Sequence, residues 1–398
     1  MSGKAVIAEG LRTAIGRATK GSLAQVRPDD FAAEVIRTLI ERVHVDATAV
    51  EDVVLGCATP EAEQGVNVAR RVGMLAGLPV TAPGVTISRY CGSSVEAVAM
   101  AVSRIEIGWN NLIIAGGLES MSMAPMGGLQ PAKTENPRIA QMRRRLPSAS
   151  PLVQTAQYIA EVHNISREEQ DCFALESHRK AIAAIDAGLL DDIIVPIKVK
   201  NFVRSERSFK VDECPRQNLT IEKLASLPTI SRPVTSRDKA PTVTAGNSCP
   251  LNDGAAAMFV GEEKRVREMG LKSLAVIRSL AVAGVEPHEM GAAPIPATLK
   301  ALELAGMKIS DIDLVEMNEA FASQCIYAIR ELKLDPAKVN VNGGAIAFGH
   351  PLGATGAILI LKLIHELKRR GQALGLVTIC VADGQGISVI IENTGNPP

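Results

Sequence analysis

Apolar positions along the chain alternate between short runs of strand length and longer segments with helical spacing. Residues 4–10 form such a run and predict a buried strand, followed by a turn-rich stretch from Leu11 to Arg17. Between 29 and 43, Phe31, Val35, Leu39 and Val43 recur at helical intervals, and Pro28-Asp29-Asp30 stands where proline and acids suit a helix N-terminus. Asp52 to Cys57 predicts a second strand, and the small, mildly amphipathic residues 62–77 a helix. From Val85 a β-branched run meets a small-residue turn at Cys91 and passes into a helix reaching about Ile107; residues 111–117 close the series as another buried strand. Strand and helix in alternation argue for an α/β fold with a parallel-type sheet covered by helices.

From Leu118 the texture changes. Met121, Met123 and Met126 lie among glycine and proline, a proline-punctuated polar stretch leads to the basic run Arg143-Arg144-Arg145, and Ser166-Arg167-Glu168-Glu169 forms a capping box before a helix over 167–186. Residues 118–240 therefore read as an insertion, a loop domain bordering a site. The methionines suit gap-filling packing, and the arginines suit a solvated face or a phosphate contact. The first pattern then returns: Thr242 to Gly246 and Asp253 to Val260 read as turn and strand, and Leu274 begins a second series that echoes the first. Asp313 to Asn318 repeats the strand at 52–57. Val339 to Gly344, running through His350 into a helix, repeats the strand, Cys91 and helix, and Leu376 to Cys380 repeats 111–116. This self-similarity has the period of a domain. It divides the chain into an N-terminal half (1–117 with 241–270), a loop domain (118–240) and a C-terminal half (271–398).

Composition narrows the function. The 398 residues, 46% of them hydrophobic, can bury more than one core, and 43 Lys and Arg offset 43 Asp and Glu. No global field draws this protein to nucleic acid or an anionic membrane, so an anionic ligand must be held by local groups. Seven scattered cysteines without a C-x-x-C pair, and no signal peptide or long apolar span, point to a reduced, cytoplasmic compartment without membrane insertion. No P-loop, G-x-G-x-x-G or zinc spacing is present.

The candidate chemistry lies at strand ends. Cys91 at the mouth of a helix faces unpaired backbone N–H groups and the positive end of the helix dipole, an environment expected to favour the thiolate. His350, in Gly349-His350-Pro351-Leu352-Gly353, sits where a glycine-rich turn feeds a helix and is a candidate base. Cys380 ends a buried strand and meets Val381-Ala382-Asp383-Gly384, a turn whose N–H groups suit an oxyanion. Asn318 offers a neutral amide. Each has a plainer alternative: a small packed cysteine, a capped histidine, a core cysteine, a turn residue. Together they form an acyl-transfer constellation.

Four motifs carry a resemblance to a known family: Arg89-Tyr90-Cys91; Gly116-Gly117-Leu118-Glu119-Ser120-Met121; Asn318-Glu319-Ala320-Phe321-Ala322; and Asn342 through Gly349-His350-Pro351. With these the chain, from Arg12 to Gly386, resembles the thiolases, especially the degradative 3-ketoacyl-CoA thiolases of bacterial fatty-acid β-oxidation. The resemblance implies a thiolase fold, two similar βαβαβαββ halves layered αβαβα with an inserted loop domain, assembled as homodimers or homotetramers. It implies acetyl-CoA C-acyltransferase activity by a ping-pong route, with acyl-CoA and CoA as substrates and no metal or redox cofactor. Cys91 would carry the acyl group, His350 accept its proton, Cys380 move a proton at the substrate α-carbon or the CoA sulfur, and Asn318 hold a water. The Ala382 backbone N–H would serve the oxyanion, and Arg216, Cys249, Ala320 and Phe321 would lie on the CoA and substrate side. Departures stand at Ser88 for a usual Asn, Cys249-Pro250 at a usual serine, and Ala382-Asp383 in a usual glycine run, where alanine keeps its N–H useful if its φ is negative. A Claisen-condensing thiolase of a specialised pathway and a weakened acyl-CoA-binding subunit are the alternative readings.

Overall fold

The computed structural model describes residues 4–130, 136–139, 152–200 and 206–394. In the first half β1 (Ala5–Thr13) and β2 (Gly16–Arg17) precede α1 (Pro28–Val43), β3 (Asp52–Gly56), α2 (Val68–Leu75), β4 (Gly84–Ile87), α3 (Ser93–Glu106) and β5 (Leu112–Ser120). A largely helical stretch follows: α4 (Leu152–Val162), α5 (Arg167–Asp186), β6 (Ile194–Val195), β7 (Ile197–Lys200), β8 (Glu206–Phe209) and α6 (Ile221–Ala225). The chain continues through β9 (Asn252–Glu262), α7 (Glu263–Glu268), β10 (Ala275–Gly284), α8 (Pro294–Ala305), β11 (Leu314–Met317), α9 (Ala322–Glu331), α10 (Ala345–Phe348), α11 (Leu352–Arg370), β12 (Leu374–Val381) and β13 (Gln385–Asn393).

The strands form two arrays, β4-β3-β5-β9-β1 and β10-β13-β12-β11, that meet where β1 and β10 share the register pair Ile7–Ala275. In each array the central crossovers are parallel (β3 with β4 and β5; β11 with β12), and the later strands pair antiparallel. Helices α1 and α2 pack on the first array, α8 on the second, and α3 with α11 lie between the two. This is the layered arrangement of two similar halves. Its centre is α11, whose residues from Leu352 to Leu367 are buried on nearly every side, as expected of a helix that is apolar all round. Among the described residues, no helix is long and apolar enough to cross a membrane.

Several elements differ from the sequence pattern. The turn-rich stretch after Gly10 is partly strand, because β1 continues to Thr13 against β9 and the short β6. The helix expected over 62–77 begins only at Val68. Ala62 and Val66 hold φ of 51° and 61°, which no α-helix passes through. β5 runs to Ser120, three residues past the expected edge of the first half, because it stays paired with β9 as far as Asp253. The strand expected at 339–344 is reduced to one bridge between Val339 and Val315. There Asn340 and Gly343 take φ of 44° and 81° and turn the chain, while the Asn340 amide bonds both backbone groups of Met317. The capping box at Ser166 and Glu169 forms as expected.

The helical stretch is anchored to the first half by a buried ion pair. Arg12 on β1 donates to both oxygens of Asp212 at 2.8 Å, and the Ile15 N–H donates to the same carboxylate at 2.7 Å. Neither charge is reachable by water, so removing one strands the other. Asp212→Ala is expected to lower unfolding free energy by about 3–5 kcal/mol. Urea titration checks this, and a loss below about 1 kcal/mol would show that the buried guanidinium finds another partner.

Candidate active site

The residue at the centre of the site owes its position to a strained turn. β4 ends at Ile87, Tyr90 takes φ of 43°, and a single 3-10 turn over Tyr90–Gly92 leads into α3. A bulky residue at positive φ is held only where its surroundings require it. Here the Ser93 hydroxyl accepts from Arg89 N at 2.9 Å and donates to the Tyr90 carbonyl at 2.6 Å, closing the turn. Cys91 is thereby aimed into a cavity of about 680 Å³, whose walls include Thr59, Leu152, Met290, Ala382 and Asp383.

The Ala382 N–H and the N–H of Cys91 itself both face the Cys91 sulfur and favour its thiolate. Ala382 is not among the residues with positive φ, and the left-handed conformation falls instead on Asp383 and Gly384 at 62° and 73°. The alanine methyl therefore costs no backbone strain. These donors do not prevail. Burial, reinforced by a smaller contribution from the Glu119 charge, pushes the Cys91 thiol up to about 12, so the thiolate expected from the helix mouth is not the resting state.

Cys380, the penultimate residue of β12, is buried close enough to Cys91 and Cys249 for their charges to oppose one another, and its thiol is pushed well above the usual range, chiefly by burial. It packs with Ala320, Phe321 and Met290. Asn318, just beyond β11, is pinned by its N–H to the Thr378 carbonyl at 2.9 Å. Its Nδ2 lies 3.3 Å from His350 Nε2, while its Oδ1 is buried without a protein partner. His350 is held at backbone and ring: its backbone N–H donates to Asn252 Oδ1 at 2.9 Å, and its Nδ1 lies 2.7 Å from Thr355 Oγ1. Gly349, at φ 112°, has the Asn252 carboxamide where a Cβ would stand, so only glycine lets the two meet. Burial pushes His350 down to about 3. Cys249 donates its N–H to the Ala320 carbonyl at 3.0 Å, and burial followed by Cys91 pushes its thiol up to about 12.

Packing and electrostatic contacts thus link Cys91, Cys249, Cys380, Ala320, Phe321 and Ala382, and the Asn318–His350 pair adjoins them through Leu251, two residues beyond Cys249, which bridges to His350. Arg216 is elsewhere. It lines a separate pocket of about 30 Å³ with Arg17, His178, Ser248 and Pro250, and its N–H donates to His178 Nδ1 at 3.2 Å. The run Arg143-Arg144-Arg145 lies outside the described residues. Among the described residues no group of three His, Cys, Asp or Glu side chains is gathered as metal ligands.

Sequence reasoning missed three supporting residues. Glu119 accepts from Ala58 N and Gly353 N, both at 2.8 Å, so one buried carboxylate joins the cavity wall to the helix that follows His350. Asn252 supports His350 from β9. Thr355 lies five residues beyond His350 in the same glycine-rich motif, the one signal that could have flagged it.

Models of the thiolase N-terminal and C-terminal domains match residues 5–264 and 271–393. The chain is 44% identical to a 3-ketoacyl-CoA thiolase of Bacillus subtilis, covering 98% of this chain and 99% of the relative. It is 42% identical to a 3-oxoadipyl-CoA/3-oxo-5,6-dehydrosuberyl-CoA thiolase of Escherichia coli, covering 98% and 99%. The crystal structure of the Bacillus anthracis acetyl-CoA acetyltransferase superposes with a TM-score of 0.88 at 38% identity, covering 98% and 99%.

A resting thiol near 12 has a direct consequence for reactivity. Below that value the thiolate fraction rises about tenfold per pH unit. Iodoacetamide alkylation of Cys91, followed by peptide mass, is expected to climb through pH 7–10 without levelling. A plateau near pH 8 would mean that the free protein already holds a thiolate.

Proposed function

Because this chain belongs to the thiolase family of acyltransferases, we propose that it cleaves 3-ketoacyl-CoA with CoA, giving acetyl-CoA and a shortened acyl-CoA, as in fatty-acid β-oxidation. One observation carries the reading: Cys91 and the Ala382 turn stand together on the wall of one ligand-sized cavity of about 680 Å³.

Cys91 gives its proton to His350 Nε2 as its sulfur bonds to the substrate ketone carbon. The bond between that carbon and the α-carbon then breaks, leaving the acyl group on Cys91 and the enolate of acetyl-CoA, which Cys380 protonates. CoA enters as co-substrate and gives its thiol proton to the Cys380 thiolate as its sulfur attacks the thioester; the Cys91 sulfur then leaves, takes its proton back from His350, and the shortened acyl-CoA departs. The unpartnered Asn318 Oδ1 suits a water that assists His350 at the thioester oxygen. A neutral thiol beside a neutral imidazole suits this sequence, because charge develops only when the donors have an oxyanion to hold. Cys249, Ala320 and Phe321, packed around Cys380, suit the thioester end of the substrate, and Arg216, in its separate pocket, suits the remote nucleotide end of CoA.

The cavity wall supports an uncharged acyl tail. Met126, Leu152, Pro287, Met290 and Leu352 line it, and the charged residues described there, Glu61 and Asp383, are both acids. A substrate with a terminal carboxylate, of the kind named for the Escherichia coli relative, is therefore disfavoured. The open edge of β4 supports pairing with a second copy, and seven unpaired cysteines suit a reducing cytoplasm.

The test is turnover of acetoacetyl-CoA, 3-ketooctanoyl-CoA and 3-oxoadipyl-CoA with CoA, followed by loss of enolate absorbance. The 3-ketooctanoyl substrate is expected to exceed the 3-oxoadipyl one, and Cys91→Ser to lower kcat by roughly three orders of magnitude or more. Intact mass is expected to show an acyl adduct on the wild type alone. No turnover of any substrate and no adduct would overturn the reading. Light scattering is expected to give a multiple of 42.1 kDa.

A further inference from the structure

The base proposed for Cys91 must present an unprotonated nitrogen, and an imidazole has two candidates. The surroundings of His350 choose between them. Thr355 has one hydroxyl proton. Its Oγ1 lies 2.9 Å from the carbonyl of Pro351, the residue just before α11 and one turn back from Thr355, and that carbonyl can only accept. With its proton committed there, Thr355 Oγ1 can only accept from His350 Nδ1, 2.7 Å away. Nδ1 therefore carries the imidazole proton. At the other nitrogen, the Asn318 amide stands 3.3 Å from Nε2 with Nδ2 towards it, which matches a lone pair there, and its unpartnered Oδ1 can turn to meet an Nε2–H. The opposite tautomer would set acceptor against acceptor at Thr355.

From this geometry we infer that Thr355 is a positioning residue that locks His350 in the Nδ1-protonated tautomer, keeping Nε2 free to take the Cys91 proton. Both bonds lie in the buried interior, with Thr355 and His350 each 3% exposed, so water does not compete for either. The lock is built from local geometry. Thr355 bonds Pro351 just before its own helix, and His350 precedes that helix, so the tautomer is set as soon as α11 forms and Asn252 fixes the His350 backbone. When Nε2 takes the proton the imidazolium keeps its Nδ1–H on Thr355, which lowers the cost of the charged ring. When Nε2 returns the proton, the ring is again in the starting tautomer. The inference rests on the acyl-transfer reading for its catalytic consequence, but the tautomer itself does not depend on turnover.

The experiment compares wild type, Thr355→Val and Thr355→Ser by steady-state kinetics and by nitrogen NMR of histidine-labelled protein, with His350 assigned from His350→Asn. Wild type and Thr355→Ser are expected to show His350 protonated at Nδ1, with kcat within about threefold of each other. Thr355→Val, nearly isosteric, is expected to shift His350 towards Nε2 protonation and to lose roughly 10- to 100-fold in kcat, with KM for both substrates within about threefold. A wild-type His350 protonated at Nε2, or a Thr355→Val protein whose tautomer and kcat are unchanged, overturns the inference. If Thr355→Val fails to fold, the wild-type tautomer decides. If wild type shows the Nδ1–H tautomer but turns over no 3-ketoacyl-CoA, the acyl-transfer reading fails while the lock stands.

Discussion

The structure depends on one buried carboxylate. Glu119, at the end of β5, accepts from Ala58 and Gly353 backbone groups at 2.8 Å, from Thr59 at 3.3 Å and from the Gln64 amide at 2.5 Å. Gly353 opens α11, the helix that follows His350, and no side chain of its own N-cap residue caps it. Glu119 supplies that cap from the other half of the molecule, where a negative charge meets the positive end of the helix dipole. Ala58 and Thr59 belong to the wall of the Cys91 cavity. One side chain thus ties the wall of the Cys91 cavity to the helix that follows His350. The approach is close enough that a Cβ on Gly353 would lie 2.4 Å from the Leu118 carbonyl, so glycine is a condition of the joint.

This joint has an electrostatic side. Burial pushes Glu119 itself upward, while its four donors pull it back, and its charge opposes a thiolate at Cys91. The same desolvation keeps His350 neutral, and Cys249 and Cys380 protonated. The reacting groups themselves, Cys91, Cys249, Cys380 and His350, rest uncharged. A preorganised and water-poor arrangement of this kind costs little reorganisation when charge develops. Asn318, Asn252 and Thr355 contribute direction without adding charge, which suits a base that must stay neutral until it is used.

Much of this was legible along the chain. Period and punctuation marked α1, β3, β4, α3 and α5, and the repeated order of strand, reactive residue and helix disclosed two like halves. The errors share a cause. The segments 62–67 and 339–344 look regular in composition, but each is bent by residues at positive φ, namely Ala62, Val66, Asn340 and Gly343. Side chains hold those bends from a distance. Gln64 is drawn inward to Glu119, and Asn340 to Met317 and Glu319, and such partners have no local signature. The turn after Gly10 became strand for the same kind of reason, since Leu11 to Thr13 pair with β9 and β6, whose residues lie far along the chain.

Sequence alone determined the candidates: Cys91 at a strand-to-helix turn, His350 in a glycine-rich turn, Asn318 and Cys380 at strand ends, and motifs dense enough to indicate the family. These are local properties, set by neighbours within a few residues. Protonation and partnership were decided only by the tertiary structure. The helix-mouth argument favoured a Cys91 thiolate, yet packing of the two halves buries the sulfur and outweighs the local dipole. Arg216 went to a pocket of its own beside His178, apart from the Cys91 cavity. Desolvation is a sum over every atom that excludes water, most of them distant in the chain, so no stretch of sequence contains it.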